Sequence, residues 1–347
     1  MATRDYGNFL VRIICMTYNH ASFIVDALNG FTCQQTDFPY VCIILDDAST
    51  DGEPEVVRKY LSDHFDLEDE AIARFEETDD YYLTFARHKT NLNCHFALFL
   101  LKYNHYKKKS KVPYYDEWTH KVKYEAVCEG DDYWTDPQKL QKQVDYMEGH
   151  PGCSLCFTNA VMHWEDGSGL PDRLFAPNLE ERDYRGPELT EEWITPTASL
   201  LYRKSILDTD FYRQANVNPK LNGIGDIPHV LSCLHFGQAH ALPYVTCTYR
   251  RQPGGFMLSA DSTTKIAHGD YRYALYQIFG REYLDSSISR AVYHYRLAVH
   301  YAKVEHNRTN YIKSVFRIIR VYLTHPICSG KRLARIIRER KERIAAR

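Results

Sequence analysis

Three groups of acidic residues stand where predicted strands end or a predicted helix begins. They are Asp46 with Asp47, Asp131 with Asp132, and Asp226. In an open parallel sheet, ligands bind in the crevice at the carboxyl ends of the strands. Carboxylates that converge there repel one another unless a cation or hydrogen-bond donors are present. Because hard oxygen ligands suit Mg²⁺ or Mn²⁺, the pattern predicts a divalent-cation site whose substrate carries a diphosphate.

Each group taken alone also has a purely structural interpretation. The segment 46–52 is rich in the Asp, Ser and Gly residues that form turns. The segment after residue 128 could close a strand end, with Tyr133 and Trp134 as an apolar plug. Asp226 could simply cap a helix. The three groups together favour a site over three unrelated turns.

Apolar runs and helical periods predict the elements that position these acids. The runs 10–16 and 40–45 predict buried parallel strands, and a helical period follows each of them, over 22–33 and 55–61. A βαβ order of this kind predicts a parallel sheet with right-handed crossovers. Further strands are predicted at 122–128, 154–158, 197–202 and 244–249. Further helices are predicted at 96–103, 137–147, 270–280, 283–306 and 309–323, and one is expected directly after Asp226.

Several common nucleotide-binding and hydrolytic motifs do not occur in the sequence. It contains neither GxxxxGK[ST] nor GxGxxG, the glycine-rich loops that hold phosphates. It also contains neither GxSxG nor HExxH. P-loop kinases, dinucleotide-dependent dehydrogenases, α/β-hydrolases and zincins are therefore disfavoured as classes.

Three segments together resemble a known family. They are 11–19 (VRIICMTYN), 43–51 (IILDDASTD) and 129–134 (EGDDYW). In order, spacing and strand context they resemble family 2 glycosyltransferases, in particular bacterial members that build surface polysaccharides. The resemblance covers about residues 9–255 and departs from the family at Met16, where a Pro usually stands. It implies an α/β chain with the GT-A fold, a Rossmann-like sandwich with a mostly parallel central sheet, followed by a C-terminal helical region.

The resemblance also implies a role for each matching residue. Asp132, in the DxD-type motif, would bind Mn²⁺ or Mg²⁺, and Arg250 and Arg251 would contact the diphosphate. Asp226 would be the catalytic base, although this chain has Gly-Asp where the family often has Glu-Asp. The donor nucleotide would be contacted by Thr17, Tyr18, Asn19, Asp46, Asp47, His88, Lys89, Asn91, Glu129 and Asp131. For His88, Lys89 and Asn91 an ordinary polar loop remains an equal alternative.

The chemistry implied is transfer of a sugar from a nucleotide-diphospho-sugar, with a UDP-sugar favoured, to a hydroxyl of a glycan or lipid-linked acceptor. The cation would stabilise the departing diphosphate, and one base with one in-line attack would invert the anomeric centre. Two alternatives stay open. One is a non-catalytic nucleotide-sugar-binding module on the same fold. The other is a sugar nucleotidyltransferase, although its usual glycine-rich loop after the first strand is replaced by Thr17-Tyr18-Asn19-His20.

Composition and charge set limits on class and partners. The chain has 347 residues, with 44% hydrophobic and 25% charged residues, as in ordinary globular proteins of about two domains. We expect a catalytic domain at 1–265 and a helical extension at 266–347. The net charge of −2 combines +6 over residues 331–347 with −8 elsewhere. An acidic body disfavours nucleic-acid binding, whereas the basic tail predicts peripheral contact with an anionic membrane surface or, alternatively, a solvated helix.

Cysteine usage and hydropathy predict the compartment. The ten Cys residues are scattered, the N-terminus has no signal-peptide apolar region, and no stretch approaches 18 apolar residues. These features predict reduced thiols in the cytoplasm, and the basic tail predicts peripheral attachment at the inner face of the cell membrane. Cys153 and Cys156 form one CxxC, for which core packing is favoured over zinc.

Overall fold

The computed structural model describes residues 6–106, 108–165, 167–221, 225–252, 261–326 and 328. The chain divides into two compact units. The first unit consists of Met1–Asp183, Ile194–Asp208 and Gly237–Gln252, and the second of Tyr184–Trp193, Thr209–Phe236 and Pro253–Arg347. The second unit therefore draws on three stretches of sequence. This differs from the expected division at residue 265, because 184–193 and 209–236 belong to the same unit as the C-terminal helices.

The helices and strands alternate through the first half of the chain, and helices dominate after residue 261. In chain order they are β1 Val11–Thr17, α1 Ile24–Thr32, β2 Tyr40–Asp46, α2 Glu53–His64, β3 Phe65–Asp66, β4 Arg74–Glu77, β5 Tyr81–His88, β6 Cys94–Leu101, α3 Pro113–Thr119, β7 Tyr124–Val127, β8 Tyr133–Trp134, α4 Lys139–Gly149, β9 Cys153–Trp164, β10 Arg173–Leu174, β11 Asp183–Tyr184, α5 Gly186–Glu191, β12 Leu201–Arg203, α6 Asp210–Asn216, α7 Asp226–Phe236, β13 Gln238–Arg251, α8 Ser262–Phe279, α9 Leu284–Val304 and α10 Arg308–Thr324.

The first unit is built on one mixed sheet with a parallel centre. Its strands run in the order β13-β9-β12-β7-β1-β2-β6-β5-β3. The four central strands β7, β1, β2 and β6 are all parallel to their neighbours in this group, whereas β5 and β12 are antiparallel to the strands beside them. The predicted mostly parallel central sheet with C-terminal helices is confirmed.

Both faces of the central strands are buried, which explains their continuous apolar runs. On one face, Ile13 and Ile44 join a core cluster with Leu28 of α1, Val57 of α2 and Val144 of α4. The opposite face carries a second cluster, which contains Ile14, Ile43, Phe99, Tyr115 and Val122. The sheet is thus covered on both sides, and the carboxyl ends of its central strands form one common edge.

The helix predicted at 96–103 is wrong, because these residues belong to the strand β6. The segment pairs in parallel with β2 and antiparallel with β5, and seven of its eight residues are buried. A short, continuous apolar run is buried all round in either structure, so its hydrophobicity carries no period that separates a helix from a central strand. The aromatic residues Phe96 and Phe99 favour the strand.

The second unit has two apolar clusters. Ile227 and Leu231 of α7 pack with Leu275 and Phe279 of α8 in one of them. In the other, Ile288, Val292 and Tyr295 of α9 pack with Val321 of α10. The three predicted C-terminal helices are present, with α8 beginning at Ser262, where Asp261 caps it by accepting from the N–H of Thr264 at 2.8 Å.

No described helix is both long enough and apolar enough to cross a lipid bilayer. Cys153 and Cys156 are buried on β9 in the main core. The basic tail at 331–347, on which the predicted membrane contact depended, lies outside the described residues.

Candidate functional site

The loops that follow β1, β2 and β7 meet at the carboxyl edge of the sheet. The parallel register pairs Thr17 with Asp46, the last residues of β1 and β2. The N–H of Asp47 donates to the carbonyl of Thr17 at 3.0 Å, and the N–H of Gly130 donates to the carbonyl of Met16 at 3.0 Å. The structure therefore brings the first acidic pair, the turn at 17–19 and the 129–132 segment together within the first unit.

A buried glutamate at the start of α2 joins these loops. Glu53 is fully buried, and its carboxylate accepts from the hydroxyl of Thr17 and from the backbone N–H of His20, the latter at 2.8 Å. It also accepts from the hydroxyl of Ser49 at 2.9 Å. Sequence reasoning missed Glu53. The available signal was an acid in the first turn of a helix that follows an Asp-Gly pair.

Unusual backbone geometry concentrates at the same place. Asn19 and Ala48 have φ angles of 58° and 64°, in the left-handed region that side chains other than glycine rarely adopt. Asn19 is held by bonds to the loop after β2, since its N–H donates to Ser49 at 2.8 Å and its Oδ1 accepts from the N–H of Thr50 at 2.8 Å. At Gly130, an added Cβ would stand 2.3 Å from the hydroxyl of Thr17, so only glycine allows this close approach. Strained residues of this kind often mark binding sites.

Asp46 is a buried carboxylate with one oxygen left over. It is 1% exposed, and its Oδ1 accepts from the N–H of Ser49 at 2.7 Å, whereas its Oδ2 is buried without a hydrogen-bond partner. Burial raises the pKa of Asp46 to about 6, against the opposing effect of the Ser49 hydrogen bond. A ligand that donates a hydrogen bond to Oδ2 would supply the partner that this oxygen lacks.

Asp47 already has protein partners on both oxygens. Its Oδ1 accepts from the backbone N–H of His105 at 2.7 Å, and its Oδ2 pairs with Nζ of Lys111 at 2.8 Å. Lys111 ends the lysine-rich segment 107–111. The pairing shows that this lysine is engaged at the carboxyl edge. A hydrogen bond from a nucleotide base to Asp47 would have to displace one of these partners.

The second acidic pair differs between its two members. Asp131 is half-buried, accepts from Nε2 of Gln252 at 2.8 Å and lies 3.9 Å from Nε2 of His20. Asp132 is 3% exposed, and its Oδ1 accepts from the backbone N–H of Arg250 at 2.9 Å. Burial raises the pKa of Asp132 well above its usual range, and the charges of Asp131 and Glu129 raise it further. Glu129 itself is exposed beside this pair.

The two arginines at the end of β13 are held differently. The guanidinium of Arg250 is buried and engaged with the carbonyl of Asp131 at 2.9 Å, with Asp26 at 2.7 Å and with Glu165 at 3.2 Å. Arg250 therefore orders the loop around Asp132 through protein contacts. Arg251 is half-buried and forms no ion pair with another described residue. Burial raises the pKa of the neighbouring Tyr249, against the opposing effects of a hydrogen bond with Arg251 and of the charge of Arg251. Of the two, Arg251 has the freer guanidinium for a phosphate.

The carboxylates here fit a hard divalent cation by their chemistry. Asp132 forms no ion pair with a lysine or arginine side chain among the described residues, although it is buried next to two other acids. A cation would offset the cost of burying this carboxylate and relieve the repulsion from Asp131 and Glu129 that adds to the rise in its pKa. The described residues do not contain a preformed group of three His, Cys, Asp or Glu side chains with metal-binding geometry. The protein thus offers one or two carboxylates, the number Mg²⁺ commonly takes alongside substrate phosphates.

The structure does not bring His88, Lys89 and Asn91 to this edge. His88 ends β5, and Lys89 and Asn91 lie between β5 and β6, where the carbonyl of Asn93 accepts from the N–H of Tyr40 at the amino end of β2. That end is roughly 20 Å from Asp46 for a seven-residue strand. Lys89 donates to the carbonyls of Ser62 and Asp63 at 2.9 and 3.0 Å, where it caps α2. Asn91 donates to the carbonyls of Thr32 and Gln34 at 3.0 and 2.8 Å, where it closes α1.

Asp226 lies in the second unit, whereas the other candidates lie in the first. It is the first described residue of α7 and is half-buried. Within its unit it is an electrostatic neighbour of Tyr271, whose pKa is raised chiefly by burial and lowered in part by Arg272, with Asp226 contributing to the rise. Tyr18, the remaining candidate, is 46% exposed after β1 and presents an aromatic ring to solvent.

Comparison with curated proteins finds mycobacterial relatives. They include the uncharacterized proteins Rv1520 of Mycobacterium tuberculosis and Mb1547 of Mycobacterium bovis. Each is 32% identical over 248 residues, which are 72% of this chain and 60% of the relative. The chain thus spans about 60% of the length of the curated relatives it matches. No family model matches the chain.

Comparison with solved structures finds the same fold at low sequence identity. Two crystal structures of residues 1–349 of S. aureus TarS, one in complex with UDP, superpose with a TM-score of 0.50 at 13% and 14% identity. Each comparison covers 90% of this chain and 91% of the TarS chain. The likeness therefore extends over both units of the sequence. The chain has the GT-A glycosyltransferase fold.

Proposed function

We propose that the protein is a glycosyltransferase that takes a sugar from a nucleotide-diphospho-sugar, with a UDP-sugar favoured, and passes it to a hydroxyl of a glycan or lipid-linked acceptor. Mn²⁺ or Mg²⁺ would be held at Asp132, and the anomeric centre would be inverted. The proposal is supported by the shared fold and by the presence of UDP in the TarS crystal. A role in bacterial surface-polysaccharide synthesis at the inner face of the cell membrane follows from the sequence resemblance.

The observation that carries the proposal is the state of Asp132. It is a nearly fully buried carboxylate at the carboxyl end of a parallel sheet, next to Asp131 and Glu129, with no cationic side chain paired to it in the described part of the chain. The backbone N–H and the charge of Arg250 compensate this burial only in part. A buried charge of this kind is costly and is typical of groups that do chemistry or bind a cation. Topology supports the same conclusion, because Asp132 follows β7, the neighbour of β1.

The residues of the edge would divide the work of donor binding. Asp132, with Asp131 and Glu129 beside it, would hold the cation, which supplies charge stabilisation for a departing diphosphate. Asp46 would accept a hydrogen bond through its unpartnered Oδ2. Tyr18 would offer an exposed aromatic face to the nucleotide base, and Arg251 would donate charged hydrogen bonds to the phosphates. Asp47 would position Lys111 and the His105 backbone unless the nucleotide base of the donor displaces one of them.

Asp226 would act as the general base that takes the proton of the acceptor hydroxyl. A carboxylate performs this step when it comes within about 3 Å of the hydroxyl. The assignment rests on the sequence resemblance and on the position of Asp226 at the start of a helix. We expect Asp226→Asn to abolish transfer with donor affinity unchanged, because the base acts on the acceptor rather than on the donor.

The test of donor binding is calorimetric titration of UDP, GDP and dTDP into the purified protein, with and without Mn²⁺. We expect one diphosphate to bind in a Mn²⁺-dependent manner and Asp132→Asn to lower its affinity at least tenfold, because each lost carboxylate–cation contact is worth more than about 1.4 kcal/mol. The matched control is Asp136→Asn, four residues away, where the carboxylate pairs with Lys142 at 2.7 Å. That variant should bind like the wild type.

The outcomes separate the proposal from its alternatives. Failure of a folded protein to bind any of the three diphosphates would overturn the proposal. Mn²⁺-dependent binding that survives in Asp132→Asn would show that Asp132 does not hold the cation. Tight binding of a UDP-sugar without either hydrolysis or transfer to glycan acceptors would identify a non-catalytic binding module.

A further inference from the structure

The helix α10 carries a stripe of exposed apolar side chains. Ile312, Phe316, Ile319 and Leu323 are 56%, 66%, 50% and 76% exposed. Their spacing of four, three and four residues places them within about a 60° arc of the helix at 3.6 residues per turn. We call this set the α10 stripe. Large apolar side chains that are exposed singly are ordinary, whereas four aligned on one side of a helix form a contiguous apolar strip.

The fold does not need the α10 stripe. The helix is anchored by its opposite side, where Asn310, Ser314 and Val321 are buried and Val321 packs with Ile288 and Val292 of α9. Asn310 further donates to Ser262 at 2.8 Å. Because these contacts fix the helix, the α10 stripe is presented on a rigid element rather than on a fraying end.

The charged side chains of α10 itself are of one sign. The sequence of α10 contains no Asp or Glu and carries four cations, Arg308, Lys313, Arg317 and Arg320. Arg317 is paired with Asp270 at 2.6 Å, while Lys313 and Arg320 are exposed on the flank of the stripe. A helix with an apolar face, a basic flank and no acids has the composition of helices that lie in the interface of an anionic membrane.

A second copy of the chain fits this surface poorly. In a two-fold dimer the same patch meets itself, so the cations of α10 would face identical cations. The α10 stripe is also small. A helix face about 16 Å long and about 10 Å wide offers on the order of 200 Å², whereas a stable interface buries about 800 Å² per partner. Anionic lipid headgroups satisfy the charges, and the acyl boundary accepts the apolar side chains, with a binding strength that combines the buried apolar area and the attraction between the charges.

We propose that α10 is a membrane-docking helix that lies in the plane of an anionic bilayer with Ile312, Phe316, Ile319 and Leu323 inserted into the headgroup–acyl boundary. This surface differs from the basic tail at 331–347, which the sequence alone suggested, and it consists of residues that the structure describes. It would hold the protein at the surface where lipid-linked molecules are found. The proposal does not depend on the glycosyltransferase proposal.

The test is sedimentation of the full chain with vesicles of 70% phosphatidylcholine and 30% phosphatidylglycerol, compared with phosphatidylcholine alone. We expect binding to the anionic vesicles, and at least a tenfold loss of affinity in the double variant Phe316→Ser and Leu323→Ser. The matched control is Phe75→Ser, which removes a phenylalanine of the first unit that is 64% exposed, close to the 66% of Phe316. The control should bind like the wild type.

A second measurement detects insertion directly. Tryptophan placed by Phe316→Trp should be quenched by vesicles that contain brominated acyl chains, whereas tryptophan placed by Phe75→Trp should not. Equal vesicle binding by the wild type and the double variant would overturn the proposal. So would loss of all binding in a chain ending at residue 330 that still carries the α10 stripe. A wild-type dimer in light scattering that the double variant converts to monomer would assign the α10 stripe to self-association instead.

Discussion

At the scale of single residues, the carboxyl edge of the sheet combines a cost to stability with the capacity to bind. Asp46 and Asp132 are both nearly fully buried carboxylates whose pKa values are raised chiefly by burial. Such groups lower the stability of the empty protein at neutral pH, and proteins retain them where function requires them. The same edge holds Asn19 and Ala48 in left-handed conformations.

Asp46 makes this trade-off measurable. Its pKa is about 6 in the folded protein, above its ordinary value of 3.8, so the folded state binds more protons than the unfolded state between those pH values. The stability contributed by this group therefore falls as pH rises through that window. We expect Asp46→Asn to raise the free energy of unfolding by about 1–3 kcal/mol at pH 7.5, and by about a third of that at pH 4.5.

Urea denaturation at the two pH values checks this expectation. The control is Asp145→Asn, at an exposed position of α4, which should change stability by less than about 0.5 kcal/mol at either pH. Equal stability of Asp46→Asn and the wild type at pH 7.5 would contradict a raised pKa for Asp46. The same variant should bind the nucleotide diphosphate more weakly if Asp46 contacts the donor.

At the scale of elements, a buried ionic network ties β1, β7 and α3 together beneath the site. Arg12 of β1 is 2% exposed and pairs with Glu125 of β7 and with Asp116 of α3, the latter at 2.7 Å. It also donates to Thr119 at 2.9 Å, and Tyr202 of β12 donates to Glu125. Burial alone would lower the pKa of Arg12, but these partners outweigh it and raise the pKa overall. The network fixes β7, and with it the position of the 129–132 segment.

Removal of one partner should therefore be costly. We expect Arg12→Met to lower the free energy of unfolding by about 3–5 kcal/mol, because it leaves the carboxylate of Glu125 buried without its cation. Lys59→Met is the control, since Lys59 is 76% exposed in its pair with Asp63 and should contribute less than about 1 kcal/mol. Denaturant titration measures both. The double variant with Glu125→Gln should recover part of the loss, and similar losses for Arg12→Met and Lys59→Met would exclude the network as a major contributor.

At the scale of the whole molecule, the second unit is assembled from stretches far apart in the sequence. Ile227 and Leu231 of α7 share a cluster with Leu275 and Phe279 of α8. A chain cut after Gln252 would keep α6 and α7 and lose the helices that cover their apolar faces. Cutting the chain near residue 265 would therefore not give the first unit alone. The shortened chain would still carry α6 and α7, with this apolar cluster exposed.

We expect a chain ending at Gln252 to bind the dye ANS and to be cleaved by protease within 209–236, because the apolar side chains of α7 lose their covering. A chain ending at residue 330 is the control, since it keeps all of these contacts and should resist the protease as the full chain does. Fluorescence and limited proteolysis measure the outcome. A compact, protease-resistant chain ending at Gln252 would show that α6 and α7 fold without α8.

The local pattern of apolar residues in the sequence determined which strands build the carboxyl edge and where those strands end. The apolar runs of β1 and β2 are continuous because both faces of a central parallel strand are buried. Once those strands are predicted, the polar residues at their ends must share an edge, which is why Asp46, Asp47, Asp131 and Asp132 could be grouped from the sequence. Thr17 joined this group only through the family resemblance. The same reasoning failed for β6, whose apolar run fits a buried helix and a central strand equally well.

Tertiary structure alone decided the partners of those residues. His88 ends β5, and Lys89 and Asn91 follow it. Because β5 is antiparallel to β6, these residues fall at the opposite end of the sheet. The direction of a strand depends on pairing across the sheet, which no local pattern reports. The pairing of Asp47 with Lys111, the engagement of Arg250 with Asp26 and the burial of Glu53 depend on contacts between distant segments. The sequence thus identified the acids available for chemistry, whereas packing decided which are satisfied by the protein and which are left for a ligand.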